Sequence, residues 1–350
     1  MFLLRSRFPC RGWRRRAPTR LLGRSGLRFA GADVVVDLTV KIGGLQLANP
    51  VMPASGTFSD GLARVIDFNR LGAFVTKTVT RELRTGNATP RVAETAGGML
   101  NSIGIPSKGI DYFIDQTLPF YRRFKPPLVA SISASTADGF ASLAAKIGVA
   151  GVAAIEANIS CPNLEQDGRA FAMTPEATAG VVARLRAATK LPLWVKLTPN
   201  TGDIAEIARA AEVNGADAVV VANTILGMAI DVDTFRPRLG SITGGLSGPA
   251  VKPVVLRQVY QCARAVKIDI VGCGGIADGN DAVEYLLAGA RAVQVGTATF
   301  VHPTALIRVI DELEEFCNRR GFAQVSALTG ALLSAGANET DVEWRREASQ

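Results

Sequence analysis

From Asp37 onward, apolar residues fall in short runs separated by longer stretches in which they recur every three or four positions. Runs rich in Val, Ile, Leu and Ala, bounded by Gly, Pro and Asn, read as strands buried on both faces. The spacing predicts eight of them, at residues 51–53, 73–78, 128–133, 152–158, 193–197, 218–222, 268–272 and 292–295. Between them lie Ala- and Leu-rich amphipathic stretches at 142–146, 175–189, 204–214 and 279–288. Two of these end in Asn214-Gly215-Ala216 and Ala288-Gly289-Ala290, with Gly just before the next strand, a usual helix-to-strand exit. Ahead of the first strand, alternating runs at 37–42 and 45–51 flank Gly43-Gly44, a hairpin signal.

Parallel-strand candidates alternating with helices predict an α/β fold, a (β/α)8 TIM barrel with an N-terminal β-hairpin. A doubly wound open sheet is the alternative. It usually carries GxGxxG after its first strand, whereas here that strand leads into Ala54-Ser55-Gly56-Thr57. Two segments, 79–127 and 223–267, exceed ordinary connections and follow strands two and six. They predict long loops at the C-terminal face, where barrel active sites are built.

Composition changes this picture only at the N-terminus. The chain has 350 residues and a formal net charge of +8. Residues 1–32 contain nine arginines and no acid, which leaves 30 Lys and Arg against 31 Asp and Glu in the rest. The expected division is an Arg-rich tail, 1–32, and a single barrel domain, 33–350. The tail reads as a disordered or non-native segment, with translation beginning among Val34–Val36, as a transit peptide, or as a nucleic-acid arm. Phe2-Leu3-Leu4 is too short for a secretory signal. A neutral body predicts no nucleic-acid partner. No uncharged apolar run reaches the 18 or so residues of a membrane span, so no membrane partner and a cytoplasmic location are expected. Five scattered cysteines without a CxxC argue against a disulfide framework and against a metal site. His302, beside Pro303, is the single histidine and reads as a helix-entry residue.

The chemistry-bearing residues gather at the predicted strand ends. Strand two ends in Lys77-Thr78, four in NISCPN (158–163), five in Lys196, six in Asn223-Thr224, seven in Gly274-Gly275 and eight in Gly296-Thr297. In a barrel these face one mouth. Lysines in apolar strand sequence either reach water just past the strand or form a fixed positive charge beside an electron-rich ring or carboxylate. The glycines either turn the chain or let backbone N–H groups approach a phosphate. Cys161 either packs as a small hydrophobe or serves as a thiolate base.

These residues together resemble the dihydroorotate dehydrogenase family. The stretches that carry the likeness are MPASG (52–56), TKT (76–78), NSIGI (101–105), NISCPN, VKLTP (195–199), ANT (222–224), TGGLSGP (243–249), GCGG (272–275) and VGT (295–297). Cys161 is similar to the base of the class 1 enzymes, where class 2 has serine. PRVAET (90–95) and TGGLSGP resemble class 1B, whose flavin subunit pairs with an electron-transfer subunit bearing FAD and a 2Fe-2S cluster and passes electrons to NAD.

The resemblance implies FMN as cofactor, and oxidation of (S)-dihydroorotate to orotate in pyrimidine biosynthesis. Cys161 would take the C5 proton as the C6 hydride moves to flavin N5. Lys196 would stabilise negative charge near flavin N1, and Lys77 would touch both flavin and substrate. The flavin would be lined by Ser55, Lys77, Thr78, Asn158, Lys196, Ala222 and Gly248. Its phosphate would lie on Gly274, Gly275, Gly296 and Thr297. Lys77, Asn101, Ser102, Ile103, Gly104, Ile105, Asn158, Asn163, Asn223 and Thr224 would hold the substrate. A homodimer, joined by two partner subunits in a heterotetramer, is also implied. Ser131 and Ser107 stand where relatives often carry asparagine. The nearest rivals are a dihydropyrimidine dehydrogenase-like flavin barrel acting on uracil or thymine, and a non-catalytic binding barrel.

Overall fold

A computed structural model describes residues 35–160 and 170–333. The eight barrel strands are β1 (Val51–Pro53), β2 (Phe74–Val75), β3 (Leu128–Ile132), β4 (Ala154–Asn158), β5 (Leu193–Lys196), β6 (Ala218–Val221), β7 (Asp269–Cys273) and β8 (Ala292–Val295). They form one parallel sheet in the order β1-β8-β7-β6-β5-β4-β3-β2. Its two edges meet where Gly72 N donates to Val51 O at 2.9 Å. A Cβ on Gly72 would stand 2.1 Å from Asn49 O, so only glycine permits this approach. The sheet is thus nearly closed into a (β/α)8 barrel. Every residue of β3, β4, β5, β6 and β8 is buried, which is why these strands read as unbroken apolar runs.

The outer layer includes helices α1 (Ala137–Ile147), α2 (Pro175–Ala188), α3 (Ile204–Val213), α4 (Lys252–Ala263), α5 (Gly279–Leu287) and α6 (Ala305–Arg320). Local sequence sets several starts. Thr136 and Thr174 cap α1 and α2, Asp203 caps α3, and Asp278 with Asp281 forms a capping box on α5. The expected helix at 142–146 extends over Ala137–Ile147 because Thr136 supplies that cap. The anticipated second strand, 73–78, is a two-residue ladder instead. Thr76 N still donates to Val129 O, and Val79 forms an isolated bridge to Ile132, so the rest of the run stays beside β3.

The hairpin Val40–Ile42 and Leu45–Leu47 turns at Gly43 and Gly44, both at positive φ. It lies at the N-terminal end of the barrel, where Gly43 N donates to Asp269 Oδ2 at 2.8 Å. At the opposite end the two long segments build a joint antiparallel sheet: Ile225–Gly227, Gly244–Ser247, Gly98–Asn101 and Val92–Thr95, in that order. Residues 110–121 continue as a helical segment. There Tyr121 joins Phe58, Phe68 and Phe74, with ring centroids 5.0–6.2 Å apart, and so anchors the loop after β1.

Candidate active site

At the centre of the barrel, β5 ends in Lys196, which is 4% exposed. Its Nζ donates to Gln294 Oε1 of β8 at 3.0 Å and lies 3.7 Å from Cys273 Sγ of β7. Gln294 Nε2 donates in turn to Glu156 Oε2 of β4 at 2.5 Å. Burial pulls the Lys196 pKa down, but Cys273 and Glu156 push it up, and the net direction is upward. Burial raises the Cys273 pKa. The lysine is therefore buried and held in its charged form rather than reaching water past the strand.

Above it, the ends of β4 and β6 are tied by a polar chain. Asn223 Nδ2 donates to Ser160 Oγ at 2.9 Å, and Ser160 Oγ donates to Asn158 Oδ1 at 2.7 Å. Asn223 Oδ1 accepts from Thr224 N at 2.8 Å. Asn200 holds Thr224 from the other side, donating to its carbonyl at 3.0 Å. Sequence reasoning passed over Ser160 and Asn200, although both lie in or beside the motifs NISCPN and VKLTP.

Thr78 Oγ1 and Ser131 Oγ, both buried, share a hydrogen bond at 3.0 Å. The serine that departs from the family pattern thus holds the end of β2 against β3. Ser107, the other departure, accepts from Thr80 N and Gly109 N and pins the loop. Lys77 Nζ reaches Gly56 O at 3.4 Å. Lys77 and Thr78 line a cavity of about 690 Å³ that runs past Asp60 and Tyr112 to Phe300. Ser55 and Ala222 are buried at the ends of β1 and β6.

The joint sheet brings Asn101 and Thr224 to one place. Asn101 Nδ2 donates to Gly245 O at 3.1 Å, and a Cβ on Gly245 would collide with the Thr224 side chain. Ser102 Oγ accepts from Asn87 Nδ2 and Ser241 Oγ. Gly104 and Ile105 follow with positive φ, so Ile103, Gly104 and Ile105 form a tight loop.

The loops after β7 and β8 flank the strand Gly244–Ser247. Gly275 lies against Gly248 and Lys252 so closely that a Cβ would stand 2.8 Å from Gly248 O. Thr297 Oγ1 bonds Ser247 Oγ at 2.8 Å. Tyr285 Oη donates to Gly274 O at 2.6 Å, fixing the peptide before Gly275. Among the described residues, the N–H groups of Gly274, Gly275, Gly296 and Thr297 donate to no protein acceptor. Uncovered N–H groups at the ends of adjacent strands can hold an anion such as phosphate. Two expected site residues, Cys161 and Asn163, lie outside the described residues, as does the 1–32 tail.

Among the described residues no helix is long and apolar enough to cross a membrane. Comparison with known proteins bears on the chemistry. A catalytic subunit of dihydroorotate dehydrogenase B (NAD(+)) from Trichlorobacter lovleyi is 51% identical over 298 residues, covering 84% of this chain and 98% of that protein. The protein of the same name from Bacteroides fragilis is 48% identical over 301 residues, covering 85% and 99%. That of Desulforamulus reducens is 48% identical over 299 residues, covering 85% and 98%. The family model for dihydroorotate dehydrogenase matches residues 37–317, which takes in all eight strands and both long segments. The family match spans the buried lysine, the asparagines and the uncovered glycine N–H groups at the barrel mouth, and the chain belongs to the dihydroorotate dehydrogenase family.

Proposed function

We propose that this chain is the FMN-bearing catalytic subunit of an NAD-linked dihydroorotate dehydrogenase, oxidising (S)-dihydroorotate to orotate in pyrimidine biosynthesis in the cytoplasm. The observation that carries the reading is the 51% identity over 98% of a relative with that name. The geometry of the described residues supports it. The uncovered N–H groups at Gly274, Gly275, Gly296 and Thr297 fit a flavin phosphate. Lys196, buried and charged, fits the electron-rich edge of an isoalloxazine ring.

FMN, held there, would supply an acceptor for the hydride equivalent. The chain does the rest. Cys161 removes the C5 proton of dihydroorotate, and a thiol of ordinary pKa about 8.5 needs little tuning for that task. Lys196 stabilises the negative charge that develops across the ring. Lys77 sits between flavin and substrate, while Ser55, Thr78, Asn158, Ala222 and Gly248 line the ring. Asn101, Ser102, Ile103, Gly104, Ile105, Asn158, Asn163, Asn223 and Thr224 hold the carboxylate and ring amides. A partner subunit carrying FAD and a 2Fe-2S cluster would take the electrons on, in a heterotetramer built on a homodimer.

The test is an anaerobic absorbance titration of the purified protein with dihydroorotate. The visible flavin band should bleach stoichiometrically. Cys161→Ala should retain FMN and bleach orders of magnitude more slowly. Bleaching by dihydrouracil alone would make the substrate wrong. A protein that takes up no FMN would refute the reading altogether.

A further inference from the structure

Four inward-facing side chains lie in the barrel interior beneath the proposed flavin site: Glu156 on β4, Lys196 on β5, Cys273 on β7 and Gln294 on β8. Their exposures are 0%, 4%, 8% and 1%. A carboxylate in such a place is expensive unless it compensates a charge. Lysine has only donors, so the 3.0 Å contact from Lys196 Nζ fixes which end of the Gln294 amide is oxygen. Gln294 must then present its NH2 to Glu156, and Glu156 Oε2 must accept. The other carboxylate oxygen, Oε1, has no partner among the described residues. These bonds tie β8 to β5 and β4, which are not its ladder neighbours, and link an acid to Lys196 through one amide.

We propose that Glu156, acting through Gln294, keeps Lys196 in its charged form beneath the reacting ring and sets its ammonium in place. Both are positioning residues for the reaction. The inference rests on the reading of Lys196 as the lysine that faces FMN.

Among the described residues, the groups around Lys196 allow one anion at working pH. Asn158 of β4 and Val220 of β6, its ladder neighbours, do not titrate. Cys273 raises Lys196 only as a thiolate, and burial pushes its own thiol pKa up, so at working pH it is the neutral partner. Tyr285, whose charge couples to Cys273, is likewise pushed up by burial. Among the described residues, Glu156 is the remaining acid whose side chain joins Lys196, through Gln294. Removing its charge leaves a desolvated ammonium without a counter-charge, and the lysine must surrender its proton more readily.

The test is the midpoint potential of bound FMN, measured against pH in the wild type, Glu156→Gln and Cys273→Ala. The glutamine variant keeps an acceptor oxygen for Gln294. The break that marks loss of the Lys196 proton should move down by at least about one pH unit in Glu156→Gln, tenfold in the protonation constant. Cys273→Ala should shift the break less than Glu156→Gln does. A Glu156→Gln curve parallel to the wild type, or a larger shift in Cys273→Ala, overturns the proposal.

A second measurement needs no flavin. In urea unfolding of the flavin-free chain, Glu156→Gln and Lys196→Met should each lower the midpoint, and the double variant should regain most of the loss. Additive losses overturn the pairing even if FMN binds. Coupled losses in a chain that takes up no FMN would support the pairing and sink the flavin reading instead.

Discussion

Replacing Gly275 by alanine isolates what the anion cradle demands of the backbone. Gly275 has φ +72°, and an added Cβ would stand 2.8 Å from Gly248 O and 2.9 Å from Lys252 N and Cβ. The left-handed conformation costs a residue with a Cβ about 1–2 kcal/mol. Crowding against backbone adds about 1–3 kcal/mol, and lower entropy of the unfolded chain returns about 0.4–1 kcal/mol. Gly275→Ala should therefore destabilise the flavin-free protein by about 1–5 kcal/mol, about 3 at the centre of those ranges. Gly44 is the control, with φ +88° and nothing within 4 Å of its Cβ position. Only the conformational cost remains there, about 1 kcal/mol. The strain at Gly275 is relieved by moving the loop, which would carry its N–H away from the proposed phosphate position. One charge-assisted bond is worth about 1.5–3 kcal/mol, so FMN affinity should fall about tenfold to a hundredfold. Urea unfolding of the flavin-free chain and quenching of flavin fluorescence on binding measure the two effects. The reasoning is refuted if Gly275→Ala matches Gly44→Ala in stability and binds FMN as the wild type does.

Three further predictions concern the supports of this site. Tyr285→Phe removes the donor to Gly274 O and should cost about 1 kcal/mol, with weaker FMN binding in the same quenching assay. Asp278→Ala opens the capping box of α5 and should lower stability by about 1 kcal/mol, while Asp278→Asn retains most of it; thermal unfolding compares the two. Burial pulls Lys252 down in pKa, but its bonds to Asp281 and Glu284 push it up further. Its contribution of about 1 kcal/mol should be complete below the unfolded value near 10.4 and vanish as pH rises through the higher folded value. Lys252→Met should then be less stable than the wild type at pH 7, and the gap should close on the alkaline side. A gap independent of pH in urea titrations would contradict this.

The strands were legible because their chemistry is uniform. The ladder β3 to β6 consists of residues buried on both faces, and such strands cannot be confused with an alternating surface strand. The lysine signal was equally plain, since Lys196 interrupts an apolar run. The same logic would have found Glu156 in AIEAN and Gln294 in AVQV, each a polar residue inside a strand; attention to strand ends passed over them. The joint sheet over the barrel mouth was not legible. Its strands are short, glycine-rich and half-exposed, and Asn101 pairs with Gly245 across a long stretch of sequence. Pairing at that separation leaves no local periodicity to read. The long segments announced only that something would cover the mouth.

The seam between β1 and β8 joins Val51 to Val293, residues about 240 positions apart. On a ribosome adding roughly 5–20 residues per second, β1 waits about 10–50 s for that neighbour to be made. The hairpin waits almost as long for Asp269, which accepts from Gly43 N. Throughout that interval a fully apolar strand offers a bare edge to whatever else is in reach. Escort during synthesis, rather than final stability, is then the step at which this chain is most exposed to failure, and a C-terminal truncation before Ala292 would leave that edge open for good.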